Sequence, residues 1–253
     1  MKINPPAGYD QIAPLQKDHR VMLPPAGTAP PSFARLHTLP ISFAEFGPAG
    51  RDYPLVFVRR GEAAFSAVAA LGMQPRQNLF MLSDGAWDRR VYLPAYVRRY
   101  PFCMSRLTVD GEERPERVVC VEAGALHEEG EPLYEQGGQP LAHWKTLERL
   151  IMDFEADLLR ADEMCELLQE LDLLEPFTMK AEVDGFTLQL EGMYRVAQER
   201  LESSPGAVTR RLFDTGAMER IYAHLLSLDN FRRLLNRRSF FAVKSPTGRR
   251  EFN

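Results

Sequence analysis

The sequence predicts an α+β protein: a β-rich N-terminal half with hairpins, then a long amphipathic helix, a β-hairpin and C-terminal helices. Three observations carry that prediction. Short β-rich runs and Asp-Gly pairs crowd residues 36–135, and an apolar stripe at helical spacing begins near 140. Strand-rich and helix-rich stretches are also segregated, where a βαβ array would alternate them.

Residues 1–35 are rich in proline and glycine. The Pro24-Pro25-Ala26-Gly27 and Pro30-Pro31 steps preclude regular helix or central strand, so an extended arm over the body is expected. One α+β domain is expected over 36–236, β-rich to 135 and helix-rich from 140. Tyr53-Pro54-Leu55-Val56-Phe57-Val58 and Asn78-Leu79-Phe80-Met81-Leu82 read as strands. Phe65 to Met73 is ambiguous: alanine favours helix, but shortness and the flanking Gly61 and Gly72 suit a buried strand, the reading preferred here. Asp84-Gly85 and Asp110-Gly111 can each supply the positive φ angles of a tight hairpin turn.

Pro140 suits a first helical position, where its missing N–H costs nothing. Trp144, Leu147, Ile151, Phe154, Leu158, Ala161, Cys165 and Leu168 recur three and four apart, one stripe of a helix over 141–172. Leu150, Leu167 and Leu171 widen the stripe, while Glu148, Asp153, Glu155, Asp157 and Arg160 are expected mainly outside it; Pro176 is expected to stop the helix. Such a stripe can cover a sheet of its own chain or pair with a partner helix. Its width exceeds a strict coiled-coil seam, which favours internal burial. Met179, Ala181 and Val183, then Asp184-Gly185, then Phe186, Leu188 and Leu190 predict a hairpin. From 206 helix returns. Thr215 can cap a segment burying Met218, Ile221, Tyr222, Leu225 and Leu226, and Ser227 or Asp229 can cap a shorter one with Phe231, Leu234 and Leu235. Residues 237–253 read as a basic flexible tail.

Composition narrows the function classes. The 253 residues are 45% hydrophobic and 26% charged, ordinary for a globular chain, and the net charge of −4 argues against nucleic acid as a partner. Cys103, Cys120 and Cys165 contain no C-x-x-C and are odd in number. Reduced, buried thiols are expected, with a Cys103–Cys120 pair on neighbouring strands as the alternative. No stretch approaches the ~20 apolar residues of a membrane span. Met1 to Leu23 lacks the apolar core of a signal peptide, so a cytoplasmic chain is expected.

Familiar chemical motifs are missing. There is no G-x-x-x-x-G-K-[ST] loop and no G-x-G-x-x-G after a strand, so no cofactor is expected. His127-Glu128-Glu129-Gly130-Glu131 lacks the second histidine of a zinc-protease helix, and the five histidines are scattered, so no metal site is expected. No G-x-S-x-G elbow occurs. Cys103, between Phe102 and Met104, reads as a buried thiol, although Arg98, Arg99 and Arg106 nearby leave an activated one open.

One constellation is dense. From Trp87 to Phe102, five aromatics and four arginines lie within sixteen residues. Arginine grips carboxylates and phosphates bidentately and stacks on aromatic rings. Trp87, Tyr92, Tyr96, Arg98, Arg99 and Tyr100 are therefore the candidate residues of a surface binding a peptide, a small anion or a partner protein. The competing reading is a core strand whose arginines pair with the chain's own carboxylates, which the core habit of aromatic-rich strands favours.

Tyr53-Pro54-Leu55-Val56-Phe57-Val58, Asn78-Leu79-Phe80, Asp84-Gly85-Ala86-Trp87-Asp88, the stretch Tyr92 to Phe102, Leu173-Leu174-Glu175-Pro176 and Ile221 to Leu228 occur in that order. Together they resemble the bacterial SapC family over roughly residues 35–235. The family carries a surface-layer and peptide-transport label, and no catalytic residue carries over from it. The resemblance implies an accessory role in peptide or small-molecule metabolism or uptake, with flavin-dependent halogenase-like or cupin-like enzymes as partners by association. Three readings result: a non-enzymatic binding or accessory protein, the one favoured; an enzyme of unrecognised type with Tyr96, Arg98, Arg99 and His224 converging; and a surface-layer-associated structural protein.

Overall fold

The computed structural model describes residues 2–61, 64–109, 112–183 and 186–244. The Asp110-Gly111 and Asp184-Gly185 pairs, expected to make hairpin turns, and the chain from 245 onward lie outside them. In chain order the strands are β1 (Lys2–Ile3), β2 (Ile12–Pro14), β3 (Arg20–Val21), β4 (Thr38–Pro40), β5 (Leu55–Arg60), β6 (Ala64–Ala70), β7 (Phe102–Val109), β8 (Glu112–Glu122), β9 (Glu131–Pro132), β10 (Leu174–Val183) and β11 (Phe186–Val196). The α-helices are α1 (Phe46–Gly50), α2 (Ala95–Arg98), α3 (Ala142–Glu170), α4 (Gln198–Glu202), α5 (Gly206–Asp214), α6 (Ala217–Ser227) and α7 (Asn230–Lys244). This is the expected mixed α+β order.

Among the described residues the strands form an antiparallel sheet ordered β1-β7-β8-β2, a second ordered β10-β11-β5-β6-β4, and the small pair β3-β9. The N-terminal arm supplies both edges of the first sheet, and the Tyr9 hydroxyl fastens it by donating to the Phe102 carbonyl at 2.7 Å. The alanine-rich run is strand β6, as preferred. Ala67, Ala69 and Ala70 are buried there, and α3 packs on that strand. Packing overrides alanine's helical preference. Asn78 to Leu82 forms no strand. The Asn78 side chain donates to the Phe33 carbonyl and accepts from the Phe80 amide, both at 2.9 Å, and such local bonds replace a ladder. Asp84-Gly85 does make a tight turn, with Gly85 at φ 80° and a single bridge from Met81 to Trp87.

Helix α3 spans 29 residues, ~43 Å at 1.5 Å per residue, and joins two cores. Its N-terminal half buries Trp144 and Ile151 against Phe102 and Val121 of the first sheet. The rest buries Phe154, Ala161, Met164, Cys165 and Leu168 in the larger core around β5 and β6. The stripe thus packs within the chain. Pro176 does not end the helix: the chain turns at Asp172, φ 52°, and Pro176 sits in edge strand β10, where a missing N–H is tolerated. One expectation about polarity fails. Glu155 lies four residues after Ile151 and three before Leu158, on the shoulder of the stripe, and is buried.

At the C-terminal end Thr215 closes α5, its hydroxyl bonding back to the Arg211 carbonyl, and Gly216 caps α6 instead. Ile221 is buried as expected, but Tyr222 and Leu226 point to solvent. The tail expected from 237 begins as helix, because α7 continues to Lys244. Among the described residues no helix is long and apolar enough to cross a membrane.

Candidate functional site

The segment Trp87–Phe102 is a loop with one turn of helix, α2, and its residues divide between interior and surface. Trp87 is buried, stacked on Phe80, and donates from Nε1 to the Tyr53 hydroxyl at 2.8 Å. The Asp88 carboxylate accepts from the side chain and amide of Arg90 and from Arg237 on α7. The Arg90 hydrogen bonds come first in holding it well below the usual carboxylate range. Buried Glu45 accepts from the Ala95 amide at 2.6 Å and from the Tyr92 hydroxyl at 3.1 Å, which fixes the start of α2. Successive residues of a helical turn face different ways. Arg98 therefore lies at the surface, beside Tyr92, while Arg99 turns inward. Trp87, Tyr96 and Arg99 are interior, Tyr92 and Tyr100 are half-buried, and Arg98 alone of the six is exposed. The six candidates do not form one surface.

Arg99 leads to the site. Its guanidinium lies over the rings of Tyr96 and Phe154, 4.4 and 4.9 Å from the centroids, and donates to Glu155 Oε1 at 2.8 Å. Glu155 Oε2 meets Arg117 Nη1 from β8, and Arg117 also donates to the Met104 carbonyl at 3.0 Å. One buried carboxylate thus ties an interior arginine to a surface one. The surface one opens into a groove of about 550 Å3, lined by Asn4, Pro6, Arg60, Met104, Ser105, Arg106, Arg117, Leu159 and Asp162. Arg60, at the end of β5, pairs with Asp162 of α3 at 3.0 Å and keeps 62% of its side chain exposed. Arg106 and Arg117 are direct partners across β7–β8, so both side chains leave the same face of that sheet.

Sequence reasoning found Arg99 and missed the groove. The signal for Glu155 was its place on the shoulder of the apolar stripe, four residues after Ile151 and three before Leu158. For Arg106 and Arg117 no simple signal existed, because the hairpin slips register between Arg106 and Thr108. A regular two-residue turn at 110–111 would have paired Arg106 with Pro115 instead.

The remaining reactive groups stand in unreactive settings. Burial pushes the Cys103 thiol up to about 12 and the Cys120 thiol to about 11, although the two oppose each other across β7–β8. His224 is fully buried: Nδ1 bonds the Leu55 carbonyl at 2.9 Å and Nε2 accepts the Val196 amide at 3.1 Å. Its ring packs on Phe57, so it serves the junction of α6 with β5 and β11 and does not join Arg99. Among the described residues no group of three His, Cys, Asp or Glu side chains could hold a metal ion.

The family model for SapC matches residues 17–234. The chain belongs to the SapC family. The SapC match takes in the principal strands of the two larger sheets, α3, the groove residues Arg60, Arg106, Arg117 and Asp162, and the buried pair Arg99–Glu155. Compared with the curated proteins and with the solved structures, this SapC chain has no match.

Proposed function

We propose that this SapC chain is a binding protein that captures an organic anion in the groove between β7–β8, β5 and α3. The observation that carries the reading is the groove's lining, which brings Arg60, Arg106 and Arg117 together from separate strands. A guanidinium has five N–H donors in a fixed fork. Arg60 gives one of its bonds to Asp162, and Arg117 uses its bonds to Glu155 and Met104 to hold position, so each retains donors for an incoming carboxylate or phosphate. In this reading Arg99 is a positioning residue that anchors Glu155, and the contacts to the ligand move from Arg98 to Arg60, Arg106 and Arg117. Capture is favoured over turnover by the raised thiols and by the internal engagement of both His224 ring nitrogens.

Calorimetric titration of the whole chain with acetate and inorganic phosphate tests this. Arg60→Ala is expected to weaken binding by roughly 10-fold, the worth of one charge-assisted hydrogen bond. Asp162→Asn removes the competing carboxylate and is expected to strengthen it by about 3-fold. Raising salt from 50 to 500 mM should weaken both, because the arginines are part-exposed. Absence of anion binding, or equal affinity in wild type and both variants, defeats the proposal.

A further inference from the structure

The groove's acidic and basic groups do not cover its whole lining. Pro6, Met104 and Leu159 form apolar wall beside them, and Leu159 is 60% exposed. Seven residues earlier on α3, Met152 is 50% exposed, and exposed Ala156 lies between the two. Residues at i, i+4 and i+7 share a helix face, so Met152, Ala156 and Leu159 make a strip ~10 Å long on α3, on the helix whose Glu155 and Asp162 pair with Arg117 and Arg60. Exposed large apolar side chains in a contiguous row signal binding more than isolated ones do. A bare apolar strip would fit many partners. This one shares a helix with the carboxylates that hold Arg60 and Arg117, so charge complementarity selects the occupant.

We infer that the groove takes an amphiphilic monocarboxylate, its carboxylate on Arg60, Arg106 and Arg117 and its hydrocarbon chain along Leu159, Ala156 and Met152. The inference rests on the anion-capture reading and adds the ligand's second half. Inorganic phosphate and acetate engage only the guanidiniums. Each methylene added to the ligand covers part of the strip. Complete burial of a methylene raises affinity about 4-fold, and a strip open on one side gives roughly half of that in free energy, about 2-fold per methylene.

The test is calorimetry on the whole chain with acetate, butanoate, hexanoate and octanoate, all below micellar concentration, alongside inorganic phosphate. Affinity is expected to climb about 2-fold per methylene through octanoate. Leu159→Ser should flatten that climb, with losses that grow from acetate to octanoate, and Met152→Ser should flatten only its last steps. Both side chains are exposed, so neither substitution threatens folding. Acetate and phosphate binding without any gain along the series overturns this inference and leaves anion capture standing. No binding of any anion overturns both. A chain-length gain that survives Leu159→Ser and Met152→Ser places the hydrocarbon elsewhere and also overturns the inference. So does a strip occupied by a second copy, seen as a dimer in sedimentation that Leu159→Ser dissociates.

Discussion

Replacing Glu155 with leucine is expected to cost about 3–5 kcal/mol of folding stability, read as a lower urea midpoint at unchanged m-value. Glu155 and Arg99 are buried against each other, their side chains 8% and 3% exposed. The substitution removes the only carboxylate bonded to Arg99 in the described structure and leaves a permanent charge among Tyr96 and Phe154. Those two rings attract a cation, but that offsets only ~1–2 kcal/mol. Arg117 is 37% exposed and can swing into water, so its loss of partner adds little. The Arg99→Met, Glu155→Leu double variant should recover most of the stability, since a well-packed apolar pair often replaces a buried ion pair at little cost. It should not recover anion affinity, because Arg117 has lost the carboxylate that aims it into the groove. Full recovery of both, or a Glu155→Leu variant as stable as wild type, would show that the buried pair has no such role.

Acidification should weaken the fold through His224. Burial is the first cause that lowers its pKa, from 6.5 to about 4. The hydrogen bonds agree: Nε2 accepts the Val196 amide, which a protonated ring cannot do. The depressed value fixes the sign. Between pH 6.5 and 4 the unfolded ring carries a proton that the folded ring refuses, so unfolding takes up protons and stability falls as pH drops. The contribution is whole above 6.5 and has lost about 3 kcal/mol by pH 4, with no further loss below. Carboxylates titrate in the lower part of the same range, so the measurement compares wild type with His224→Asn. The variant is less stable at pH 7, and the stability gap is expected to narrow steadily toward pH 4. A gap constant with pH would mean that the buried ring titrates normally.

The fold was largely legible because it follows from periodicity. All eight stripe residues from Trp144 to Leu168 are buried or half-buried on α3, and both long hairpins stand where their Asp-Gly pairs predicted them. Misreadings arose where side chains compete with the backbone. Asn78 diverts a β-rich run from strand, and Gly216 displaces Thr215 as a cap. The candidate site was only half legible. Sequence proximity gathered Arg98 and Arg99 into one cluster, yet a helical turn sends them to opposite sides of the surface. The groove instead unites Arg60, Arg106, Arg117 and Asp162 from four elements, through a slipped strand register that no local pattern records.

The larger core draws its side chains from Tyr9 at one end of the chain to Leu234 near the other. A ribosome delivers them in that order. Leu55 and Phe57 of the central strand therefore emerge long before α6, which packs on that strand and whose His224 stacks on Phe57. Until then a greasy sheet surface stays uncovered, at risk of sticking to other nascent chains. Contacts so distant along the chain also make folding slow. The last helices close the molecule, and a polypeptide released before they are complete would be a substrate for chaperones.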